Sequence, residues 1–231
     1  MSVSPIAAMF DRISPKYDAL NHLFSLNIDK VWRRKTAREV AKSHPKTILD
    51  LATGTADLAI AMAKHNPQAH IIGLDISEKM LEIGKKKIAS QNLENQVELH
   101  LGDAASLPFE NHSFDAVTVA FGVRNFENLD KGLCEISRVL KPNGQAVILE
   151  FSMPESFPVK QVYSLYFKHI LPKIGRAVSK DASAYTYLPT SVERFPKPKE
   201  FQQVLVDHSL TQCKAKKLSF GIAVLYTATK A

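Results

Sequence analysis

The chain has 231 residues, 45% of them hydrophobic, which is enough for one well-packed domain. No apolar run approaches the ~20 residues that span a bilayer, and the N-terminus lacks the features of a signal peptide, so we expect a cytoplasmic protein. The formal net charge of +7 is compatible with nucleic acid, an anionic membrane surface or anionic ligands, although solvated basic clusters are the default explanation. Cys134 and Cys213 lack metal-ligand spacing and are expected to be reduced thiols.

The first 150 residues divide into a helical segment and a regular alternation. Residues 4–43 are predicted to be helical because apolar side chains recur at three- and four-residue spacing, and Trp32 is expected to anchor this segment on the main domain. Strands are predicted at 46–52, 69–76, 96–104, 113–122 and 145–152, and helices at 56–65, 77–92 and 129–141. Strands that alternate with helices predict a parallel sheet with helices on both faces.

The alternation stops after Ser152 and resumes near the end of the chain. Residues 153–198 are rich in aromatic residues and proline, which indicates a helical insertion that lies over the sheet as a lid. A helix is predicted at 199–210, followed by two strands that join near Gly221. This final hairpin adds an antiparallel strand, so that we expect an α/β fold with a mainly parallel, seven-stranded sheet. The single domain then has four parts: a helical cap (1–43), a cofactor-binding core (44–152), the lid (153–198) and a C-terminal helix with a hairpin (199–231).

The turn after the first predicted strand is a candidate ligand contact. In open α/β sheets, ligands bind at the carboxyl ends of the strands. Asp50 lies near the end of this strand, Gly54 allows close approach of the backbone, and Thr55 offers a hydroxyl and an amide. A turn with one glycine is too narrow to cradle a pyrophosphate and suits an amino-acid moiety better. Alone, this pattern is common and weak.

The next two predicted strands end in residues that suit a nucleoside. The Asp75 carboxylate can accept both hydroxyls of a ribose. The Asp103 carboxylate can accept from an adenine amino group, while the Ala104 amide donates to a ring nitrogen. Ile76 and Leu107 can enclose the base between them. An amino acid, a ribose and a base in this order describe S-adenosylmethionine.

These motifs resemble those of the class I S-adenosylmethionine-dependent methyltransferases, which have a Rossmann-like fold. Over nearly the whole chain, and most specifically in YDALN, FGVRN and YLPTSVERFP, the sequence is similar to the menaquinone/ubiquinone biosynthesis C-methyltransferases. The resemblance implies S-adenosylmethionine as cofactor, bound by Thr55, Asp75, Asp103 and Ala104. It also implies a polyprenylated quinol as acceptor. Ala56 replaces a more general glycine, as in some menaquinone-forming members, and this favours demethylmenaquinone.

Methyl transfer to a ring carbon requires a site that stabilises a phenolate and removes a proton. Arg124 follows the fourth predicted strand, where its guanidinium can hold the quinol oxygen in its charged form. Asn125 can position the same oxygen, and Tyr17 is expected to close the site from the N-terminal helices. The alternatives are a salt bridge of Arg124 to a carboxylate such as Glu127, and simple core packing of Tyr17. No histidine is assigned a catalytic role, and no metal site is expected.

The lid and the net charge leave several interpretations open. Apolar residues recur at helical spacing in the lid: Tyr163, Tyr166, Phe167, Ile170 and Leu171. They indicate either the core of the lid or a groove for an isoprenoid tail that opens toward a membrane, and reversible peripheral contact would suit the positive charge. Alternative functions are C-methylation of a benzoquinol precursor, methylation of another lipid-like acceptor, or RNA methylation. The last lacks a basic stripe with interleaved aromatics, so no nucleic-acid partner is expected. The oligomeric state is left open, and a homodimer is one alternative.

Overall fold

Strands and helices alternate through the first two thirds of the chain, as the sequence predicts. The computed structural model describes residues 4–25, 27–166 and 183–231. The described helices are α1 (Pro5–Phe24), α2 (Ile28–Ala41), α3 (Asp57–His65), α4 (Glu78–Ala89), α5 (Leu129–Val139), α6 (Val159–Leu165), α7 (Ser183–Arg194) and α8 (Pro198–Asp207). The strands are β1 (Thr47–Leu51), β2 (His70–Asp75), β3 (Val97–Leu101), β4 (Phe114–Ala120), β5 (Leu140–Phe151), β6 (Leu210–Leu218) and β7 (Ala223–Lys230).

The seven strands form one sheet in the order β3-β2-β1-β4-β5-β7-β6. Strands β1 to β5 pair in parallel, whereas β7 pairs antiparallel with both β5 and β6. The mainly parallel sheet and its antiparallel C-terminal strand are therefore confirmed. The strand order reverses between β1 and β4, and the crevice at their carboxyl ends is where such sheets bind ligands.

The core lies on both faces of the sheet because side chains of a strand alternate between its faces. Ile48 packs in one cluster with buried residues of α2 and α3, while its neighbour Leu49 packs in another with buried residues of α5 and α8. Val147 and Ile148 of β5 divide between the same two clusters. The fold therefore has three layers, with the sheet between two layers of helices, and this packing holds the strand ends in fixed positions.

The N-terminal segment differs from its prediction as one continuous helical stretch. A break separates α1 from α2, and Asn27 precedes α2 with a left-handed φ of 61°. Asparagine tolerates this conformation better than most residues, but its presence does not demand it, so the sequence carries a weak signal for the break. The predicted anchor is confirmed: Trp32 is buried, and its Nε1 donates to Ser219 Oγ at 2.9 Å.

Strand β5 begins earlier than predicted. Its pairing with β4 jumps from Phe114–Leu140 to Ala116–Gln145, so the intervening residues bulge out of the ladder. The bulge contains the predicted turn, in which Asn143 has a φ of 62°. In the described part of 153–198, the segment predicted to be a lid, the helices are α6 and α7. The predicted apolar positions Phe167, Ile170 and Leu171 lie outside the described residues.

One carboxylate ties the start of β1 to β4 and β5. Asp115 Oδ2 accepts from the backbone amides of Lys46 (2.9 Å) and Thr47 (2.8 Å), and Oδ1 accepts from Lys141 Nζ at 2.7 Å. Burial alone would raise the pKa of Asp115, but these donors outweigh it and lower the pKa to about 2. Because the folded pKa lies below the unfolded value, this stabilisation is present above the unfolded pKa and is lost as the pH falls through the folded one.

We expect Asp115→Ala to lower the free energy of unfolding by about 1–2 kcal/mol at neutral pH, after allowing for solvent screening of this partly exposed group. Urea unfolding of both proteins at neutral pH and near pH 3 measures the difference. The gap between the two proteins should narrow at the lower pH, and the exposed Asp207→Ala serves as a control with little effect. An equal gap at both pH values would contradict this account of Asp115.

Candidate active site

A cleft opens at the carboxyl ends of the central strands. Including the open space at its mouth, it encloses about 700 Å³. Its walls come from four loops that follow strands and from one face of α1. The lining residues are Ser4, Ile6, Phe10, Tyr17, Ala52, Gly54, Leu74, Asp75, Ile76, Met80, Gly102, Asp103, Ala104, Ala120, Phe121, Gly122, Asn125, Phe126 and Glu127. Seven of the predicted site residues therefore come together here: Tyr17, Gly54, Asp75, Ile76, Asp103, Ala104 and Asn125.

Asp75 connects two walls of the cleft. Its Oδ2 accepts from the Gly54 amide at 2.8 Å, and its Oδ1 accepts from the Ser77 amide at 2.9 Å. The residue is buried, and burial raises its pKa, while the amide donors act in the opposite direction. A carboxylate has about four lone-pair positions, and the Ile76 amide also acts on this group, so at least one position remains for a hydroxyl group of a ligand. The geometry suits the ribose contact that the sequence predicts.

The turn after β1 has left-handed backbone at three positions, Ala52, Gly54 and Ala56. Gly54 has a φ of 57°, and a Cβ added there would meet no other atom within 4 Å, so the adjacent space is open to a ligand. Ala56 also has a positive φ, 65°, directly before α3. This conformation costs an L-residue about 1–2 kcal/mol, which explains why glycine is the more general choice at position 56.

The end of β3 supplies the third predicted contact. Asp103 is exposed, and its Oδ1 accepts from the Ala105 amide at 2.9 Å, which shapes a short turn beyond the strand. Ala104 lines the cleft beside it, and Ile76 lines the cleft from the end of β2. Leu107, expected to enclose a base together with Ile76, is not in the cleft wall, and its amide donates to Glu135 at 2.7 Å.

Asp50 and Thr55 lie behind the cleft wall. Asp50 is buried within β1 and accepts from the hydroxyls of Thr53 (2.7 Å) and Thr118 (2.6 Å). Burial raises the pKa of Asp50 to about 6, although both hydroxyls act against that rise. The Thr55 hydroxyl donates to Asp18 of α1 at 2.6 Å. These positions support the walls, and any contact with a ligand stays a prediction.

Helix α1 covers the cleft and is fastened to three of its walls by polar contacts. Ser4 donates to Glu127 after β4, and Ser77 donates to Asp11 at 2.6 Å. Lys87 of α4 is the strongest fastening, because its ammonium contacts the Asp18 carboxylate at 3.0 Å and the Thr55 hydroxyl at 3.1 Å, and also bonds Asp57. We name this group of four residues (Asp18, Thr55, Asp57 and Lys87) the α1 clasp.

Tyr17 projects from α1 into the cleft. Burial raises the pKa of its phenol, while the positive charges of Arg33 and Arg124 act to lower it. The ring contacts Phe10 edge to face, with 6.1 Å between centroids. Tyr17 therefore lies at the cleft, as the sequence predicts. It also packs against Phe10, so its position is compatible with a packing role as well as with a contact to a ligand.

Arg124 forms a salt bridge, but its partner is Glu150 of β5. Nη1 lies 2.6 Å from the carboxylate of Glu150, which is fully buried, and also donates to the Phe121 carbonyl at 2.6 Å. Nε donates to Ser191 of α7 at 3.4 Å. Glu127, named as a possible partner, accepts from Ser4 instead. Arg124 does not line the cleft, although its charge acts on Tyr17.

Asn125 faces the cleft and is held by residues that the sequence analysis did not single out. Tyr187 of α7 donates to Asn125 Oδ1 at 3.0 Å, and Asn125 Nδ2 donates to the Phe121 carbonyl at 3.4 Å. Burial raises the pKa of Tyr187, which keeps it a donor. Tyr187 opens the stretch YLPTSVERFP, so a signal was present in the sequence, whereas nothing in it paired Glu150 with Arg124.

The described residues contain neither a metal centre nor a spanning helix. No group of three or more His, Cys, Asp or Glu side chains in residues 4–25, 27–166 and 183–231 is arranged to hold a metal ion. Within the same residues, no helix combines the length and apolar character needed to cross a bilayer.

The strand order and the position of the cleft at the carboxyl ends of the strands are those of the class I methyltransferase fold. The same fold occurs in a solved SAM-dependent methyltransferase from Aquifex aeolicus, with a TM-score of 0.59 and 17% identity, over 84% of this chain and 89% of that one. The chain belongs to the ubiE/COQ5 methyltransferase family, whose sequence profile matches residues 2–230. The resemblance seen in the sequence is confirmed.

Curated relatives match over nearly their whole length. Demethylmenaquinone methyltransferase of Bacteroides fragilis is 45% identical over 225 residues, which cover 97% of this chain and 92% of the relative. Ubiquinone/menaquinone biosynthesis C-methyltransferase UbiE of Geobacter sulfurreducens is 41% identical over 226 residues, which cover 97% and 88%.

The residues of the cleft fit the cofactor of this class. Asp75 offers acceptor positions at the end of β2, Asp103 and the Ala104 amide lie at the end of β3, and open space adjoins Gly54. These three groups suit the ribose hydroxyls, the base and the amino-acid part of S-adenosylmethionine, respectively.

We expect Asp75→Ala to weaken S-adenosylmethionine binding by roughly 100-fold, because charge-assisted hydrogen bonds contribute about 1.5–3 kcal/mol each. Calorimetric titration measures the affinity, and thermal unfolding checks that the variant folds. Asp75→Asn keeps one acceptor oxygen and should bind with intermediate affinity, and the exposed Asp103→Ala should lose less. Binding of Asp75→Ala within twofold of the unaltered protein would remove Asp75 from the cofactor site.

We expect Lys87→Met to speed cofactor release roughly fivefold, because it removes the ammonium of the α1 clasp, and partly exposed ion pairs contribute up to about 1 kcal/mol. Stopped-flow displacement of labelled S-adenosylmethionine measures the rate. The control is Lys42→Met, which breaks an exposed ion pair with Glu39 on α2 (2.6 Å) and should leave the rate unchanged. Equal rates in both variants would show that the clasp does not gate release.

Proposed function

We propose that this enzyme transfers a methyl group from S-adenosylmethionine to a ring carbon of a polyprenylated quinol, with demethylmenaquinol as its acceptor. The observation that carries this proposal is the match at 45% identity to a demethylmenaquinone methyltransferase over 97% of this chain and 92% of that relative. The cleft supports it through its size, its aromatic wall and the charges near Tyr17.

The walls of the cleft divide into a polar and an aromatic part. Asp75, Asp103 and the Ala104 amide would hold the nucleoside of the cofactor, and Gly54 would adjoin its amino-acid part. When bound, S-adenosylmethionine supplies an electrophilic methyl group. The remaining wall includes Phe10, Tyr17, Phe121 and Phe126, whose flat faces suit an aromatic acceptor ring.

The acceptor reacts as a quinol rather than a quinone. Loss of a hydroxyl proton delocalises negative charge onto the ring carbon and makes it nucleophilic, whereas the oxidised ring is electron-poor. Arg33 and Arg124 provide positive charge near Tyr17 that acts against the rise which burial causes in the pKa of its phenol, and we expect these charges to act in the same direction on a quinol hydroxyl. Arg33 contributes from α2, where its guanidinium lies 5.4 Å from the centre of the Phe121 ring.

The three proposed catalytic residues have different parts in this scheme. Tyr17 and Asn125 line the cleft and would contact the quinol oxygen through the phenol and the amide. Arg124 would act at longer range, because its guanidinium is engaged with Glu150. Its second effect is to hold the turn that carries Asn125 against β5, so that proximity and alignment supply much of the acceleration.

Two other acceptors are alternatives to demethylmenaquinol. A benzoquinol ring is the first, since UbiE of Geobacter sulfurreducens carries both quinones in its name. Another lipid-like acceptor is the second. In each case the polyprenyl or lipid tail implies reversible contact with the inner face of the cell membrane by a cytoplasmic enzyme, which the net charge of +7 favours.

The assay is incubation of the full chain with methyl-labelled S-adenosylmethionine and either demethylmenaquinone or the benzoquinol precursor, with and without a reductant. We expect label in the extracted naphthoquinone, and only under reduction. Absence of label from both lipids while the cofactor still binds would overturn the acceptor assignment and leave the class of enzyme intact.

We expect Tyr17→Phe to lower kcat roughly 10- to 100-fold in this assay, because it removes the hydroxyl proposed to contact the acceptor. The matched control is Tyr226→Phe, which removes a hydroxyl from the buried core beside Phe201 and should keep full activity. If Tyr17→Phe turns over at the unaltered rate, Tyr17 serves only to pack α1 against the cleft.

A further inference from the structure

Large apolar side chains are exposed on one edge of the molecule. Phe157 is 81% exposed and Phe220 is 78% exposed, which is unusual for phenylalanine. Single exposed apolar residues are common, but a concentration of them marks an interaction surface. We name this surface the docking face, and it comprises Ile28, Val31, Phe157, Val162, Leu165 and Phe220.

Three segments meet at the docking face through direct contacts. Trp32 of α2 donates to Ser219 at 2.9 Å, which places Val31 beside the turn that carries Phe220. Lys217 of β6 donates to Glu155 at 2.8 Å, two residues before Phe157. Tyr163 of α6 lies in the same apolar cluster as Ile222, so α6 lies beside the turn.

The backbone at the turn is arranged to present Phe220. Ser219, Phe220 and Gly221 have φ values of 45°, 59° and 93°, three successive residues in the left-handed region. Bulky side chains rarely adopt this conformation. Phe220 adopts this left-handed conformation although its ring is exposed to solvent, so packing of the ring does not account for the conformation.

Positive charge surrounds the exposed rings. Lys35, Lys160, Lys216 and Lys217 are exposed on the same three segments, and the Glu155 carboxylate among them is paired with Lys217. Apolar side chains flanked by lysines are typical of surfaces that bind anionic bilayers, where the rings enter the headgroup boundary and the ammonium groups remain with the phosphates.

Aromatic rings connect this face with the cleft. Phe121 lines the cleft and stacks on Phe151 at 4.3 Å between centroids. Phe151 contacts Trp32 at 6.1 Å, and Trp32 is bonded to Ser219 of the turn. Contacts through the core therefore link the turn of the docking face to the aromatic wall proposed to receive the acceptor ring.

We propose that the docking face rests on an anionic lipid bilayer, with Phe157 and Phe220 inserted at the headgroup boundary. This inference rests on the proposed function, since the tail of a polyprenylated acceptor resides in a bilayer. It goes further by naming the surface and the residues that make the contact.

Cosedimentation of the full chain with vesicles tests the proposal. We expect binding to phosphatidylcholine vesicles that contain phosphatidylglycerol and much weaker binding to phosphatidylcholine alone. The double variant Phe157→Ser with Phe220→Ser should lose binding by roughly tenfold or more. Its matched control is Val206→Ser, 42% exposed on α8 at the opposite end of β6, which should bind unchanged. Equal binding of both variants, or no binding by the unaltered protein, would overturn the proposal.

A charge variant, Lys35→Glu with Lys216→Glu, keeps the test valid if the phenylalanine variant unfolds. It should lose binding to anionic vesicles and keep its thermal midpoint. A second copy of the chain is the alternative occupant of this face, and sedimentation velocity measures whether the protein is a dimer. If these variants convert a dimer to a monomer without an effect on vesicle binding, the face belongs to a dimer interface and the proposal is overturned.

Methylation assays separate this inference from the proposed function. A quinol with a short tail, dispersed in detergent, should be methylated equally by the unaltered protein and the double variant, while a long-tailed quinol in anionic vesicles should be methylated at least roughly tenfold more slowly by the variant. Equal rates on the vesicle-borne quinol would overturn the docking face and leave the function intact. Variant-sensitive vesicle binding without methylation of any quinol would support the face and contradict the function.

Discussion

The cleft depends on one carboxylate that joins two neighbouring strand ends. Asp75 accepts the Gly54 amide from the turn after β1 and the Ser77 amide at the start of α4. Burying a charge is costly unless its lone pairs are satisfied, and these two amides offset part of the desolvation. The turn and the helix start are thereby held at fixed separation, and Asp75 itself lines the cleft that a nucleoside would fill. The residue that shapes the cleft is also the one best placed to contact its ligand.

The polar groups around this carboxylate have two different roles: some support the walls of the cleft, and others face the space where a ligand would bind. Asp50 and Thr55 hold the walls from behind, whereas Tyr17 and Asn125 face the space inside. The Arg124–Glu150 pair belongs to the supporting group, because both side chains are nearly inaccessible to solvent. Replacing a buried pair of this kind changes the position of its neighbours as well as the local charge, so the contact residues depend on the supporting ones.

The sequence predicted the sheet and most of the cleft for a physical reason. Alternating strands and helices determine a parallel sheet, and the carboxyl ends of parallel strands meet at one edge, so Gly54, Asp75 and Asp103 had to converge. The partners of Arg124 and Asn125 were not predictable in this way. Glu150 and Tyr187 are distant in the chain from these residues, and the contacts depend on how β5 and α7 each pack against the turn after β4.

The local errors have similar causes. The break before α2 depends on a left-handed asparagine at position 27, a conformation that asparagine tolerates but does not require. The early start of β5 depends on a bulge that preserves pairing on either side of a predicted turn. In both cases, tertiary contacts select among conformations that the local sequence leaves close in energy.

Under the proposed contact with a bilayer, the antiparallel direction of β7 has a consequence for substrate range. Because β7 returns against β5 and β6, the turn before it lies at the carboxyl edge of the sheet, beside the end of β5 and on the same edge as the cleft. An enzyme that meets a bilayer through this edge draws only the head of its acceptor out of the lipid. Each methylene withdrawn from an apolar medium costs about 0.8 kcal/mol, so a tail that stays in the bilayer adds nothing to the barrier, whatever its number of isoprene units. The same fold can then serve organisms whose quinones differ widely in length.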